Sequence, residues 1–428
     1  MSTTTNPSSI STIFLDQPPS CLQFCPTAPN FLVIGTYLLT VDESDANASS
    51  PESSRSGSLQ LFKLDTQTYR LNFVINGNKS LTASSCQIQR LSLSHAVFDL
   101  QFSIHDPSLF AVALSAGKVS LYKIEKHPQS AGLEVSLCLL NTLRVHDDDT
   151  KLSLFLAWIP PFPVEVDDSV APIVGFAVSF SDGQISVFRK HDAYPTIEQE
   201  SIKETCVEGM PIEVWYLAFQ RRYDGQLSLF SGDDFNQVRK ITFTNDPDFD
   251  IDSVPMNDRG RYHEGGVTAI LPLCNEDGEA IILTGSYDQH VRVYQFGARR
   301  QILTDLNLGG GVWRLKLLRV ENNSVERSQG TLTSYLILAS CMHGGARVIS
   351  VVHYSRHPKA GSTWGINIIA QFTEHESMNY ASDVWQNYDE PSKLLCLSSS
   401  FYDKRICIWE AKIQNDEEAA RMNERDKT

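Results

Sequence analysis

The 428-residue chain has no apolar run long enough to cross a bilayer, no excess of basic charge and no paired CxxC motif. A spanning helix needs about 20 consecutive apolar residues, whereas the longest candidates here, 31–39 and 173–180, are strand-sized. Lys and Arg number 36 against 51 Asp and Glu, a formal net charge of −15. Nucleic-acid binders need a basic footprint, so this balance argues against that class and suits a protein partner or a cationic substrate. The nine cysteines are scattered. Cys21 and Cys25 have no second Cys or His pair to complete a zinc set, so no metal is expected and the thiols read as reduced ones of a cytoplasmic protein. Residues 1–11 are polar and lack the basic start and apolar core of a secretory leader. Enzyme signatures are missing as well. There is no GxSxG, since Gly361–Gly365 carries Thr363 at the nucleophile position, and neither His263-Glu264 nor His375-Glu376 has the second His of HExxH.

Repetition is what the sequence does have. Seven segments share a short apolar strand, a tight polar turn and a strand of alternating apolar residues. The first apolar residue after each turn is Leu59, Val119, Ile185, Val238, Val291, Val348 and Ile406, at gaps of 60, 66, 53, 53, 57 and 58 residues. A further apolar strand precedes each pair. One four-stranded unit cannot bury both its faces alone, so such regularity means stacked units. No long segment with a 3.6-residue period competes, apart from the tail 415–427. The sequence therefore predicts an all-β chain: a seven-bladed WD-repeat β-propeller over residues 1–412, followed by a charged tail, 413–428. The last repeat supplies three strands of its own, and Ile10–Leu15 is the natural fourth, which closes the ring and removes an open edge. Residues 42–56 read as a disordered insertion, and 164–169, 246–261 and 320–330 as further polar insertions.

His263, Ser286 and Asp288 in the fifth repeat look like a catalytic triad. Residues of these types also brace WD-repeat turns by hydrogen-bonding one another, with an aromatic, here Tyr294, completing the set. The bracing role is the expected one. In the seventh repeat Asp403 and Trp409 match that pattern, but Phe401 stands where a Ser is expected, which leaves Asp403 available for function.

Three stretches go beyond generic repeats, LGGGVWRLK (Leu308–Lys316), LASCMHGGARV (Leu338–Val348) and SSFYDKRICIW (Ser399–Trp409), and TGSYDQHV (Thr284–Val291) joins them. Together they resemble the WD-repeat methylesterase family of diphthamide biosynthesis. The resemblance implies hydrolysis of the methyl ester of methylated diphthine on translation elongation factor 2, with no cofactor and no membrane, by a carboxylic ester hydrolase that is expected to be monomeric. The chemistry of that substrate suggests roles for the residues these stretches place on one face. His343 would be the general base, with Asp403 as its acidic neighbour. Arg314 or the amides of Gly309, Gly310 and Gly311 would hold the oxyanion. Trp313, Tyr37, Tyr287 and Tyr402 would cage the trimethylammonium group. The alternative function is a non-catalytic adaptor that docks a protein partner on its top face.

Overall fold

The computed structural model describes residues 4–41, 53–72, 87–128, 134–161, 163–166, 169–172, 174–190, 203–207, 211–222, 224–244, 250–276, 278–325, 330–356, 363–388, 390 and 392–413. Every regular element among them is a strand, so no helix of these residues is long and apolar enough to cross a membrane.

The strands form seven antiparallel blades around a central channel. Blade 1 runs Pro19–Cys25, Ala28–Thr36, Ser53–Asp65 and Gln87–Leu93 from the channel outward, and blade 2 runs Val97–Phe102, Leu109–Leu114, Lys118–Lys126 and Val135–Arg144. The inner strands of blades 3 to 7 are Ser153–Trp158, Val214–Arg221, Val267–Glu276, Arg314–Val325 and Ser382–Val384. Inner strands of successive blades touch from blade 1 to blade 6. That of blade 7 touches the second strand of blade 6, and it also touches the inner strand of blade 1, so the ring is closed. Ser9–Phe14 is the outer strand of blade 7, pairing antiparallel with Arg405–Trp409. The chain before it continues onto blade 6, where Thr5 pairs in parallel with Ala370.

Alternation along each strand builds the core. In the second strand of blade 1, Val33 faces blade 2 while Leu32 and Ile34 face blade 7. In the second strand of blade 2, Phe110 and Val112 face blade 1 while Leu109 and Ala111 face blade 3. Successive side chains on a strand point to opposite faces, so one strand feeds two apolar layers. The described residues contain seven such layers, one between each adjacent pair of blades.

All four segments expected as polar insertions are partly strand, and in 246–261 it is Met256–Asn257, which pairs with Lys240 and Arg239. Residues 53–56, expected in the disordered insertion, pair with Leu38–Val41, while 42–52 lie outside the described residues. Pro163–Val166 pairs with Ser169–Pro172. Arg314–Val325 and Gly330–Ser340 form one continuous hairpin through most of 320–330. Residues 53–56 and the 320–330 hairpin extend the ladder of a blade into polar sequence, because backbone pairing needs no apolar face. Pro163–Val166 and Ser169–Pro172 instead form a separate two-stranded sheet. The tail after residue 413 lies outside the described residues.

Blade 5 shows how the turns are braced. His263 is buried and shares a 2.8 Å hydrogen bond with Thr284, not with Ser286. Ser286 donates instead to the Gly265 carbonyl at 2.7 Å. Asp288 accepts from the amides of Glu264 and His290 at 2.8 and 3.0 Å and pairs with both terminal nitrogens of Arg292 at 2.9 Å. Tyr294 donates to Asp258 at 3.2 Å. These four residues thus belong to several adjoining braces, and no bond chain runs from His263 through Ser286 to Asp288. Asp288→Ala would leave the largely buried Arg292 guanidinium without its carboxylate, and we expect a loss of about 3 kcal/mol by denaturant unfolding. A variant as stable as the parent would show that the brace contributes nothing.

Candidate functional site

The channel mouth on one face is lined by aromatic side chains delivered in a common way. The inner strands of blades 2 and 4 open with a register shift that leaves Phe98 and Trp215 as extra residues. A bulge of this kind re-aims a side chain out of the alternation. In blades 6 and 7 the aromatic comes from the loop entering the inner strand, as Trp313 and Tyr380. Blades 1, 5 and 7 add Tyr37, Tyr287 and Phe401 from the turns after their second strands.

Trp313 is the hub. Its ring centroid lies 5.2 Å from Tyr380, 5.4 Å from Trp215 and 6.1 Å from Tyr287, which brings together blades 4, 5, 6 and 7. From Tyr380 the contacts run on through Phe401 at 5.3 Å and Tyr37 at 6.1 Å to Phe98 at 5.3 Å. These rings are half-buried. Tyr402 differs: it is 67% exposed and leans on the outside of Phe401, so it stands beside the arc rather than in it.

The glycine run holds Trp313 in place. Gly309 has φ +78°, a left-handed conformation that costs glycine little. A Cβ on Gly310 would lie 2.2 Å from the Cys341 carbonyl, so a side chain there would push the loop off the blade 6 turn. Pressed against that turn, Trp313 donates its amide to the Ser340 carbonyl at 2.8 Å. The Gly309 amide donates to Asn307 at 2.8 Å. That amide is committed to its own turn and is not offered to an oxyanion. Tyr380 is set by buried Asn379, whose backbone pairs with Met342 and whose amide reaches the Ala381 and Ser399 carbonyls at 3.0 and 2.7 Å.

Beneath the rings lies charge. The Arg314 guanidinium sits 4.5 Å from the Trp313 centroid, 4.8 Å from Phe155 and 5.4 Å from Tyr216. Its Nη1 donates to the Trp313 and Thr268 carbonyls at 2.9 and 3.2 Å. Burial lowers its pKa, while Asp99 and Tyr216 favour its charge. Buried Asp99 is pushed up by desolvation, against the pull of Arg314. Acidic groups flank the rings above. Asp234 accepts from the Trp215 indole at 2.8 Å, and it and Glu213 help hold the Tyr287 hydroxyl protonated, burial being the larger cause.

The proposed catalytic pair is not assembled. His343 is an exposed turn residue, and its ring makes no hydrogen bond, ion pair or ring contact among the described residues. Asp403 is a brace. It accepts from Ser377 at 2.9 Å and faces Arg405 at 3.5 Å; burial raises its pKa, but the hydroxyls of Ser400 and Ser377 outweigh this and hold it low. The missing Ser is present after all. Blade 7 has one extra turn residue, so Ser398 and Ser400 match Thr284 and Ser286, and Ser398 bonds His375 at 2.7 Å and Trp409 at 3.0 Å. Among the described residues no cluster of His, Cys, Asp or Glu is arranged to hold a metal. Trp215, Tyr380, Phe98 and Asn379 escaped sequence reading. The one signal for the three aromatics was shared position, at or just before the start of an inner strand; Asn379 carried none.

No protein-family profile matches the chain. Among solved structures, Sqt1 of Chaetomium thermophilum bound to the N-terminus of ribosomal protein L10 aligns with a TM-score of 0.52 at 13% identity, over 95% of this chain and all of that one. Sqt1 of Saccharomyces cerevisiae aligns similarly, with a TM-score of 0.51 at 10% identity. These likenesses establish the propeller and nothing finer. Curated relatives are more telling. "Diphthine methyltransferase homolog" of Dictyostelium discoideum is 26% identical over 93% of this chain and 98% of its own length. "Diphthine methyltransferase" of Schizosaccharomyces pombe is 28% identical over 94% and 97%. The human protein of that name is 24% identical over 77% of this chain and 65% of its own. These names denote methyl transfer, not ester cleavage, and they overturn the expectation of a carboxylic ester hydrolase. The chain is a seven-bladed WD-type propeller similar, across nearly its whole length, to proteins named diphthine methyltransferase.

Proposed function

We propose that the chain acts in diphthamide biosynthesis, at the stage where the methyl groups of diphthine are handled, and that its channel mouth holds the methylated side chain of translation elongation factor 2. The observation that carries this reading is the meeting of Trp313, Trp215, Tyr287 and Tyr380 beside Asp234 and Glu213. A quaternary ammonium cannot donate a hydrogen bond, so aromatic faces and nearby carboxylates are what recognise it. The names of the relatives supply the substrate class. Phe401, Tyr37 and Phe98 extend the aromatic surface for the peptide around the modified residue.

The test is binding of purified elongation factor 2 with and without the trimethylated side chain. Trp313→Ala should weaken binding of the modified factor about tenfold and leave the unmodified factor unchanged, each ring contact to a cation being worth about 0.5–2 kcal/mol. Equal binding of both forms by the parent would overturn the reading. Mass spectrometry of the bound factor, with and without a methyl donor, reads what change the side chain undergoes. A second reading, a docking scaffold, is favoured by the separation of His343 from the braced Asp403, and an unchanged mass under both conditions would select it.

A further inference from the structure

We infer that blade 6 carries a carboxylate-binding site centred on Arg347, placed to take an acidic side chain from a docked protein. The site lies at the start of the third strand of the blade, outside the aromatic mouth, and does not rest on the reading proposed above.

Arginines near the start of the third strand are matched by acid in the two neighbouring blades. In blade 5 Arg292 pairs with Asp288 of the preceding turn at 2.9 Å. In blade 7 Arg405 meets Glu376 at 2.6 Å and Asp403 at 3.5 Å. The turn of blade 6, residues 341–346 (CMHGGA), contains no acidic residue, yet Arg347 follows it. Arg347 is only 5% exposed and forms no ion pair among the described residues. Burial lowers its pKa, and the Cys341 thiol alone opposes this. Burial pushes that thiol in turn up to about 12, so it stays neutral and supplies no counter-charge. A buried cation with no anion beside it is strongly destabilising, which makes the missing acid a gap to be filled from outside.

The unmatched part of the group is one edge. Nη1 donates to the Gly344 and Ala346 carbonyls at 2.6 and 3.1 Å. Nε is buried with no hydrogen-bond partner. Nη2 has none among the described residues either, and unlike Nε it is not sealed from solvent. In a planar guanidinium these two N–H groups point the same way and match the two oxygens of a carboxylate. The edge also has an opening. A Cβ on Gly309 would stand 3.6 Å from Nη2, so this exposed glycine leaves uncovered a nitrogen that a side chain would cap. One positive charge balances a carboxylate and would leave a phosphate dianion half neutralised.

Titration of the full chain at constant ionic strength, followed by NMR through the arginine Nε–H signals, tests this. The Arg347 signal is the one missing from Arg347→Lys. The expected result is a saturable shift of that signal with acetate, and with glutamate blocked at both backbone ends, but none with chloride. Arg347→Lys keeps the charge and loses the paired edge. Read through the Gly309 amide, it should bind blocked glutamate about tenfold more weakly, as expected on losing a hydrogen bond to a charged group. Arg347→Gln should abolish the response; if it does not fold, the parent and Lys titrations still decide. Chloride, acetate and inorganic phosphate acting alike would reduce the effect to charge screening and overturn the site. Phosphate acting at lower concentration than acetate would overturn the carboxylate assignment. Acetate binding without blocked glutamate would overturn the docked side chain as its source. A signal that no anion moves would make Arg347 a brace of the blade 6 turn and nothing more.

Discussion

Deleting residues 1–15 is expected to remove most of the stability of the fold. Ser9–Phe14 contributes the outer ladder of blade 7, and the backbone ties of Leu15 to Lys404 and of Thr5 to Ile369 and Gln371 go with it. The strand's own side chains are half exposed, with Phe14 66% and Ile10 44% accessible. The loss therefore comes less from their burial than from what they cover. Buried Leu15 and half-buried Ile13 pack with Ile406, Ile408 and Leu22 in the layer between blades 7 and 1. Two apolar side chains at about 1.5–3 kcal/mol each, with several backbone hydrogen bonds at about 1 kcal/mol, amount to roughly 6–10 kcal/mol. A domain is stable by only about 5–15 kcal/mol in total. The truncated protein should be aggregated, or melt far below the parent in calorimetry, since its open edge would also invite pairing with other chains. A truncation that melts with the parent would mean the ring holds without this strand. Removal of 43–52, which lies outside the described residues, serves as the control, expected to change melting little because the entropy of closing a connection changes slowly with its length.

Acid is expected to unfold the propeller through two buried histidines. Burial drives the His263 pKa down to about 3, with the Arg292 charge adding to it, and drives that of His375 down to about 4. In the unfolded chain both would titrate near 6.5. The folded values are depressed, so the stabilisation is complete above about pH 6.5 and is lost as pH falls toward 4 and 3. Within that window the unfolded state binds two protons that the native state refuses. Each costs about 1.4 kcal/mol per pH unit, so roughly 5 kcal/mol is lost between pH 6.5 and 4.5. Asp233 works the other way. Burial raises its pKa to about 6, so it favours the fold as pH falls. Substitution isolates the histidines from that opposing group. In denaturant titrations over this window, His263→Gln and His375→Gln should each flatten the pH slope of stability by about 1.4 kcal/mol per unit. Slopes unchanged from the parent would show that these side chains take up protons in the native state as readily as in the unfolded one.

The sequence by itself determined the number of blades, their strand pattern and the closing strand. The reason is that these follow from period and alternation, which are local. An apolar residue at every second position, as in Leu59 and Leu61 or Ile281 and Leu283, has to face a neighbouring sheet, and seven such repeats have to stack. Trp313, Tyr287 and Tyr37 were legible as mouth residues because their repeat positions place them on one face. What lay beyond reading depended on register and on contacts across the ring. The one-residue extension of the blade 7 turn moved the bracing role onto Ser398 and Ser400, and with it Asp403 became a brace. The bulges that turn Phe98 and Trp215 toward the mouth are pairing irregularities between strands, with no mark in composition. Trp215 and Trp313 are distant in sequence and two blades apart, and only closure of the ring sets their rings 5.4 Å apart. The same holds for Arg314. Whether a guanidinium finds a carboxylate in a channel depends on which residues the opposite blades present at that depth, and that is decided by the tertiary structure alone.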